Sequence, residues 1–139
     1  MNFLLDTCVL SEFVKVQPDE KVVRWFTAQA METLYISSIT VGEIQHGISL
    51  LGDTRRARRL RIWFEEDIVD GFGDRVIPFT AQIARPWGGI LAASRHSDHP
   101  LPILDSMIAA TAIAHGMTLV TRNVSDMDIA GLPLVNPFE

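Results

Sequence analysis

Phe3-Leu4-Leu5-Asp6 is the stretch on which the fold turns. Three large apolar residues in a row leave no polar face. A strand built from them is covered on both sides, as in the middle of a parallel sheet. Asp6 then sets a carboxylate at the end of that buried run. A carboxylate withdrawn from water without a partner is costly, so it is either protonated or held by a cation. The bland alternative is that Asp6 caps a helix that follows.

Working outward, the chain alternates strands and helices. A short helix is expected from about Ser11, and Pro18 opens another whose apolar side is Val22, Val23, Trp25 and Phe26. Leu34 to Ser37 reads as a second strand. From Thr40 a helix carries Val41, Ile44, Ile48 and Leu51 on one face and ends at Gly52-Asp53. Thr54 caps an arginine-rich helix with Leu60, Trp63, Phe64 and Ile68 as its core stripe. Arg75 to Phe79 is a third strand. A helix from Ala81 to about Ser94 follows, with Pro86 inside it expected to produce a kink. After a polar loop at Ser97 to Pro100, Pro102 starts a strongly apolar helix closed by Gly116. Met117 to Thr121 is the fourth strand, and Leu134-Val135 adds a short fifth. Such alternation predicts an α/β fold: a three-layer α/β/α sandwich around a central, mainly parallel sheet. Ligands in such sheets collect at the carboxyl ends of the strands, where Asp6 and Thr121 to Asn123 fall.

The bulk numbers narrow the class. At 139 residues and 47% hydrophobic composition, the chain is long and apolar enough for one packed domain over residues 1–139. No apolar stretch has the length of a membrane span, and Asp6 falls where the apolar stretch of a signal peptide would form. The single cysteine excludes an intrachain disulfide and fits a reducing cytoplasm. A net charge of −5 argues against a general nucleic-acid coat protein, but not against a nuclease whose acids hold metal. Arg55, Arg56, Arg58, Arg59 and Arg61 are either a solvated helix face or a patch for phosphate or an acidic partner.

Further acids stand out against this background. Glu43 fits a capping box with Thr40, yet Gly47 one turn along leaves room beside it for a metal, water or substrate. Asp105 shares a helix side with Ile108, Ala109 and Ala112, an odd place for a charge even near a helix start. Asp126 lies in a polar loop with Asn123, Ser125 and Asp128, where aspartates usually make turns. Drawn together by a doubly wound sheet, Asp6, Glu43, Asp105 and Asp126 make an oxygen-only site suited to Mg²⁺ or Mn²⁺. Zinc is disfavoured: the four histidines show no ligand spacing, and Cys8 has no partner cysteine.

The segments carrying these acids resemble the PIN-domain ribonucleases, and among them the VapC-type toxins of bacterial toxin–antitoxin pairs. The resemblance rests on Phe3 to Glu12, Ile36 to Ile44, Leu101 to Gly116, Leu119 to Asp126 and the closing Asn136-Pro137-Phe138-Glu139, in family order along nearly the whole chain. It implies an Mg²⁺- or Mn²⁺-dependent endoribonuclease with Asp6, Glu43 and Asp105 as its acidic core. A fourth ligand would fall between Thr121 and Asp126, with Asp126 as the carboxylate candidate and Asn123 as the competing position. Thr7 and Thr121 would orient carboxylates or water. The implied partners are an RNA substrate, a cognate VapB-like antitoxin, a second copy of the chain in a homodimer, and DNA only through the antitoxin. The antitoxin would cover apolar surface on the early helices, including Val14, Val22, Trp25 and Phe26; the alternative is that these residues only fill the core, the preferred reading for Trp25 and Phe26. Cys8 departs from the family, where many relatives have Asn, and Met127 replaces a common Phe as a packing residue. Cys8 keeps open an alternative, a catalytically weakened PIN-fold module that binds RNA or protein. A phosphatase using an aspartyl phosphate would need a second Asp where Cys8 stands, and a receiver domain would need one where the third strand ends in Pro78-Phe79.

Overall fold

The computed structural model describes residues 1–139. Its centre is a five-stranded sheet: β1 (Phe3–Leu5), β2 (Leu34–Ser37), β3 (Val76–Ile77), β4 (Thr118–Val120) and β5 (Leu134–Val135), in the order β3-β2-β1-β4-β5. Every pairing is parallel, with Leu4 opposite both Tyr35 and Leu119. The order reverses beside β1. That places the crevice of a doubly wound sheet between the ends of β1 and β4.

The alternation of side chains along each strand divides the core. Leu4 and Leu119 pack on one face with Ile108, Ala109 and Ala112 of α6 (Ile103–Ala114) and Ile83 of α5 (Ala81–Arg95). Leu5, Ile36 and Val120 pack on the other. There they meet α1 (Thr7–Ser11), α2 (Glu20–Thr27), α3 (Ser38–Leu50) and the helix running from α4 (Arg55–Trp63) into a π-helical stretch, Phe64–Asp70. The three-layer sandwich expected from the sequence is therefore present. Gly52 and Gly116 stop α3 and α6 at φ of 64° and 62°, a conformation costly for residues with a Cβ. No helix is long and apolar enough to cross a membrane.

Several local expectations change. The first helix begins at Thr7, not near Ser11, because the Asp6 carboxylate accepts the Thr7 N–H at 2.8 Å and caps it. A 3₁₀ turn, Glu12–Val14, extends it. The third strand is cut to two residues by a 3₁₀ turn at Gly73–Arg75 on one side and Pro78 on the other. The Arg75 guanidinium instead donates to the carbonyls of Leu34 at 2.6 Å and Gly71 at 2.8 Å, fastening the entry to β2. Helix α5 spans Ala81–Arg95 with Pro86 inside it, where the missing N–H leaves the carbonyl of exposed Gln82 without its helical donor. Val22 is fully buried and so belongs to the core rather than to a partner surface. Met127 is likewise core, as expected.

One carboxylate escaped the sequence reading. Glu12 keeps only 3% of its surface exposed. Its Oε1 accepts the Asp19 N–H at 3.0 Å, and its Oε2 lies 2.6 Å from Lys15 Nζ and 3.7 Å from Arg122 Nη2. The Lys15 ammonium holds its carboxyl below the usual range, against the opposing effect of burial. A depressed pKa stabilises the folded state above the unfolded value and loses that contribution as pH falls through the folded value. Glu12→Gln should therefore cost about 1–3 kcal/mol in urea unfolding at pH 7. The difference should narrow as pH falls below about 4.5, the ordinary value.

Candidate active site

Asp6 sits at the carboxyl end of β1, where its N–H donates to the Val120 carbonyl at 2.9 Å and so ties it to β4. Only 5% of the residue is exposed. One carboxylate oxygen caps α1; the other accepts the Thr121 hydroxyl at 2.7 Å and the Cys8 thiol at 3.8 Å. Capping and a role in the site are therefore not alternatives: the cap occupies Oδ1 and leaves Oδ2 facing the crevice partners. Burial and the Asp6 charge push the Cys8 thiol up, so at neutral pH it is a neutral, weak donor.

Glu43 does not close a capping box. Helix α3 starts at Ser38, one residue after its cap Ser37, whose hydroxyl accepts the Ile39 N–H at 3.0 Å. Glu43 is thus in the second turn, and its carboxylate accepts the Thr7 hydroxyl at 2.9 Å. Thr7 in turn reaches the buried Thr40 hydroxyl at 3.4 Å. Burial raises the Glu43 pKa, the Thr7 hydrogen bond opposes that rise, and the Asp6 charge adds to it. A Cβ on Gly47 would meet nothing within 4 Å, so this flank of α3 is open but does not demand glycine.

Asp105 is the third residue of α6 and half-buried. Its carboxyl is pushed up to about 6, chiefly by burial and then by the charges of Asp6, Glu43 and Asp126. Three acids far apart in sequence thus act on one group in space. Asp126 is exposed, in a turn where its N–H and that of Met127 both donate to the Asn123 carbonyl at 3.2 Å. Asn123 donates its own N–H to Thr121 Oγ1 at 3.2 Å, and its side chain makes no hydrogen bond to any of the acids.

None of the four carboxylates has a Lys or Arg partner; the ion pairs join Glu12 to Lys15 and Arg122, and Asp53 to Arg58. As these side chains stand, no group of three or more His, Cys, Asp and Glu is placed to hold a metal ion. The donor chemistry suits a hard divalent ion that retains several waters, since the donors are carboxylates steadied by threonine hydroxyls.

The fold and this centre define a class: a doubly wound α/β domain with an unpaired acidic cluster at its switch point. The family profile of the PIN domain matches residues 3–128, and the chain belongs to that family. It is 37% identical over 136 residues to the VapC ribonuclease Y4jK of Sinorhizobium fredii, covering 98% of this chain and 97% of that protein. It is 33% identical to the toxin FitB of Neisseria gonorrhoeae, covering 97% of both. Among solved structures, FitAB bound to the IR36 DNA fragment superposes with a TM-score of 0.91 at 34% identity, covering 99% of this chain and 96% of that one.

The raised Asp105 pKa carries a stability consequence. A group whose folded value exceeds its unfolded value favours folding below the unfolded value, and that support is lost as pH rises through the folded one. For Asp105 the window runs from 3.8 to about 6. In the absence of divalent ions, Asp105→Asn should raise unfolding free energy at pH 7 by about 1 kcal/mol, after discounting for solvent screening. The gain should vanish near pH 4, as read from urea titrations at both pH values.

Proposed function

We propose that this chain is the toxin of a toxin–antitoxin pair, a metal-dependent endoribonuclease restrained by a cognate antitoxin, and that residues 1–139 make one PIN domain. The observation that carries this reading is the acidic crevice at the strand ends: Asp6 and Glu43 are held by the Thr121 and Thr7 hydroxyls, Asp105 lies within reach of the charges of Asp6, Glu43 and Asp126, and none of the four has a basic partner. Membership in the PIN family and the names of the similar proteins, a ribonuclease and a toxin, support the same reading.

Asp6, Glu43, Asp105 and Asp126 would hold Mg²⁺ or Mn²⁺. When bound, such an ion supplies Lewis acidity, polarising a phosphodiester and acidifying water. The chain's own part is placement. Thr121 fixes the Oδ2 of Asp6, and Thr7 fixes Glu43, so two of the acids enter the reaction with their orientations set. Asp105 is mostly ionised at pH 7 and protonated below about 6, which makes ion affinity fall as pH drops through that value. Choice of RNA over DNA would come from shape and the 2′-hydroxyl.

The antitoxin fits a hollow of about 320 Å³ away from the acids, lined by Leu10, Phe13, Phe26, Trp63 and Phe72. Phe26 therefore faces the hollow, whereas Trp25 packs edge-on against Phe3 at 5.1 Å. The unpaired acids would also accept a basic side chain from that partner, which explains inhibition by charge neutralisation. Exposed Ile103 and Leu104, beside Asp105, suit contact with a second copy in a cytoplasmic homodimer. The similar FitAB structure holds DNA; for this chain, DNA contact would come only through the antitoxin.

Purified protein should cleave single-stranded RNA with Mg²⁺ or Mn²⁺ and not with chelator. Asp6→Asn and Asp105→Asn should each lower the rate by on the order of 100-fold or more. Equal cleavage by all three proteins would expose a contaminant and defeat the assignment. Metal binding without cleavage would favour the weakened binding module to which Cys8 points.

A further inference from the structure

We propose that the segment Asn136–Glu139 is a clasp that positions the fourth corner of the acidic site by gripping Arg122. The inference rests on the ribonuclease reading for its kinetic consequence, but its geometry stands apart from it.

Arg122 lies between the two residues that organise this corner. On one side Thr121 donates its hydroxyl to Asp6 Oδ2 at 2.7 Å. On the other, Asn123 starts the turn whose carbonyl receives the N–H groups of Asp126 and Met127, and its own N–H is tied to Thr121 Oγ1. The path of the backbone through Arg122 therefore sets where the Asp126 carboxylate points.

That path is fastened at several points by residues that touch none of the acids. Thr121 donates its N–H to the Val135 carbonyl at 3.0 Å, the last sheet bond before the segment. Asn136 Nδ2 reaches the Arg122 carbonyl at 3.4 Å, and Asn136 Oδ1 accepts the Phe138 N–H at 2.9 Å, folding the segment back. The Phe138 ring then lies under the Arg122 guanidinium, 3.9 Å from centroid to carbon. Phe138 itself packs against the core cluster that holds Leu5 and Val120. From another direction the buried Glu12 carboxylate approaches the same guanidinium at 3.7 Å.

An exposed loop after a strand is ordinarily the least fixed part of a fold. Here it carries a candidate ligand, and a misplacement near 1 Å is enough to slow a positioned reaction substantially. A cation stacked on an aromatic face and paired with a buried carboxylate answers that need. It also withdraws Arg122 from another employment, binding the phosphates of RNA. Arg122 and Phe138 are thus positioning residues, acting through Thr121 and the Asn123–Asp126 turn.

The test compares wild type with Phe138→Ala, Phe138→Trp and Arg122→Lys; the last keeps the charge but loses the planar stack. Two readouts are taken: kcat and KM for RNA cleavage with Mn²⁺, and amide hydrogen exchange. Phe138→Ala and Arg122→Lys should lower kcat by roughly 10-fold with KM within about 2-fold. They should also speed exchange at Asn123, Asp126 and Met127 while leaving β1 and β2 unchanged. Phe138→Trp should restore both. Wild-type kcat and exchange in Phe138→Ala would overturn the clasp. So would acceleration spread evenly over the sheet, which is loss of stability alone. A raised KM in Arg122→Lys with no effect of Phe138→Ala would make Arg122 a phosphate ligand instead. If wild type cleaves no RNA, the ribonuclease reading falls, and the exchange pattern still decides the clasp: local acceleration keeps it and its absence ends it.

Discussion

The carboxylate of Asp6 is the constraint on which the rest of the site depends. It is almost fully buried at the end of the central strand, where a charge is tolerated only if its oxygens are met by donors. The backbone of Thr7, the hydroxyl of Thr121 and the thiol of Cys8 meet them. These contacts also start α1 and tie the end of β4 to the end of β1. Satisfying one buried charge thereby aligns the elements that carry the other acids.

Two kinds of buried acid stand side by side in this chain, and their surroundings separate them. Glu12 has Lys15, Arg122 and a backbone N–H, and its carboxyl is held low. Glu43 and Asp105 have like charges and partial burial, and theirs are held high. The first pattern is that of a carboxylate used for cohesion. The second stores unfavourable electrostatic energy that binding of a cation would release, which is the usual mark of a functional centre. The arginine-rich face of α4 stays clear of both: Arg58 pairs with Asp53, Arg61 donates to the Gly52 carbonyl, and all five arginines are exposed.

Local pattern was legible wherever a residue's role depends on its neighbours in the chain. The apolar runs of β1 and β4, the Thr54 cap and the glycines ending α3 and α6 are of this kind. Legibility failed where a side chain is claimed by something distant. Thr40 and Glu43 have the spacing of a capping box, yet Thr7 from another element takes the Glu43 carboxylate. Glu12 has Lys15 three residues along, but nothing local shows that the fold buries its carboxylate and brings Arg122, more than a hundred residues away, beside it. Val22 stays open between core and partner surface in the sequence, because a helical stripe does not say which apolar residues a neighbouring element covers; the structure buries it.

By itself, the sequence determined the alternation of buried strands and amphipathic helices, the parallel sheet that follows from it, and the identity of the acids placed at strand ends and helix starts. Those are consequences of hydrophobic periodicity and local backbone preference, which act over a few residues. Only the tertiary structure decided that Asp6, Glu43 and Asp126 bear on Asp105, that threonines from separate elements orient two of them, and that Asn136–Glu139 closes on Arg122. Electrostatic coupling and hydrogen-bond partnership depend on distance in space, and that distance exists only once the sheet has brought its ends together.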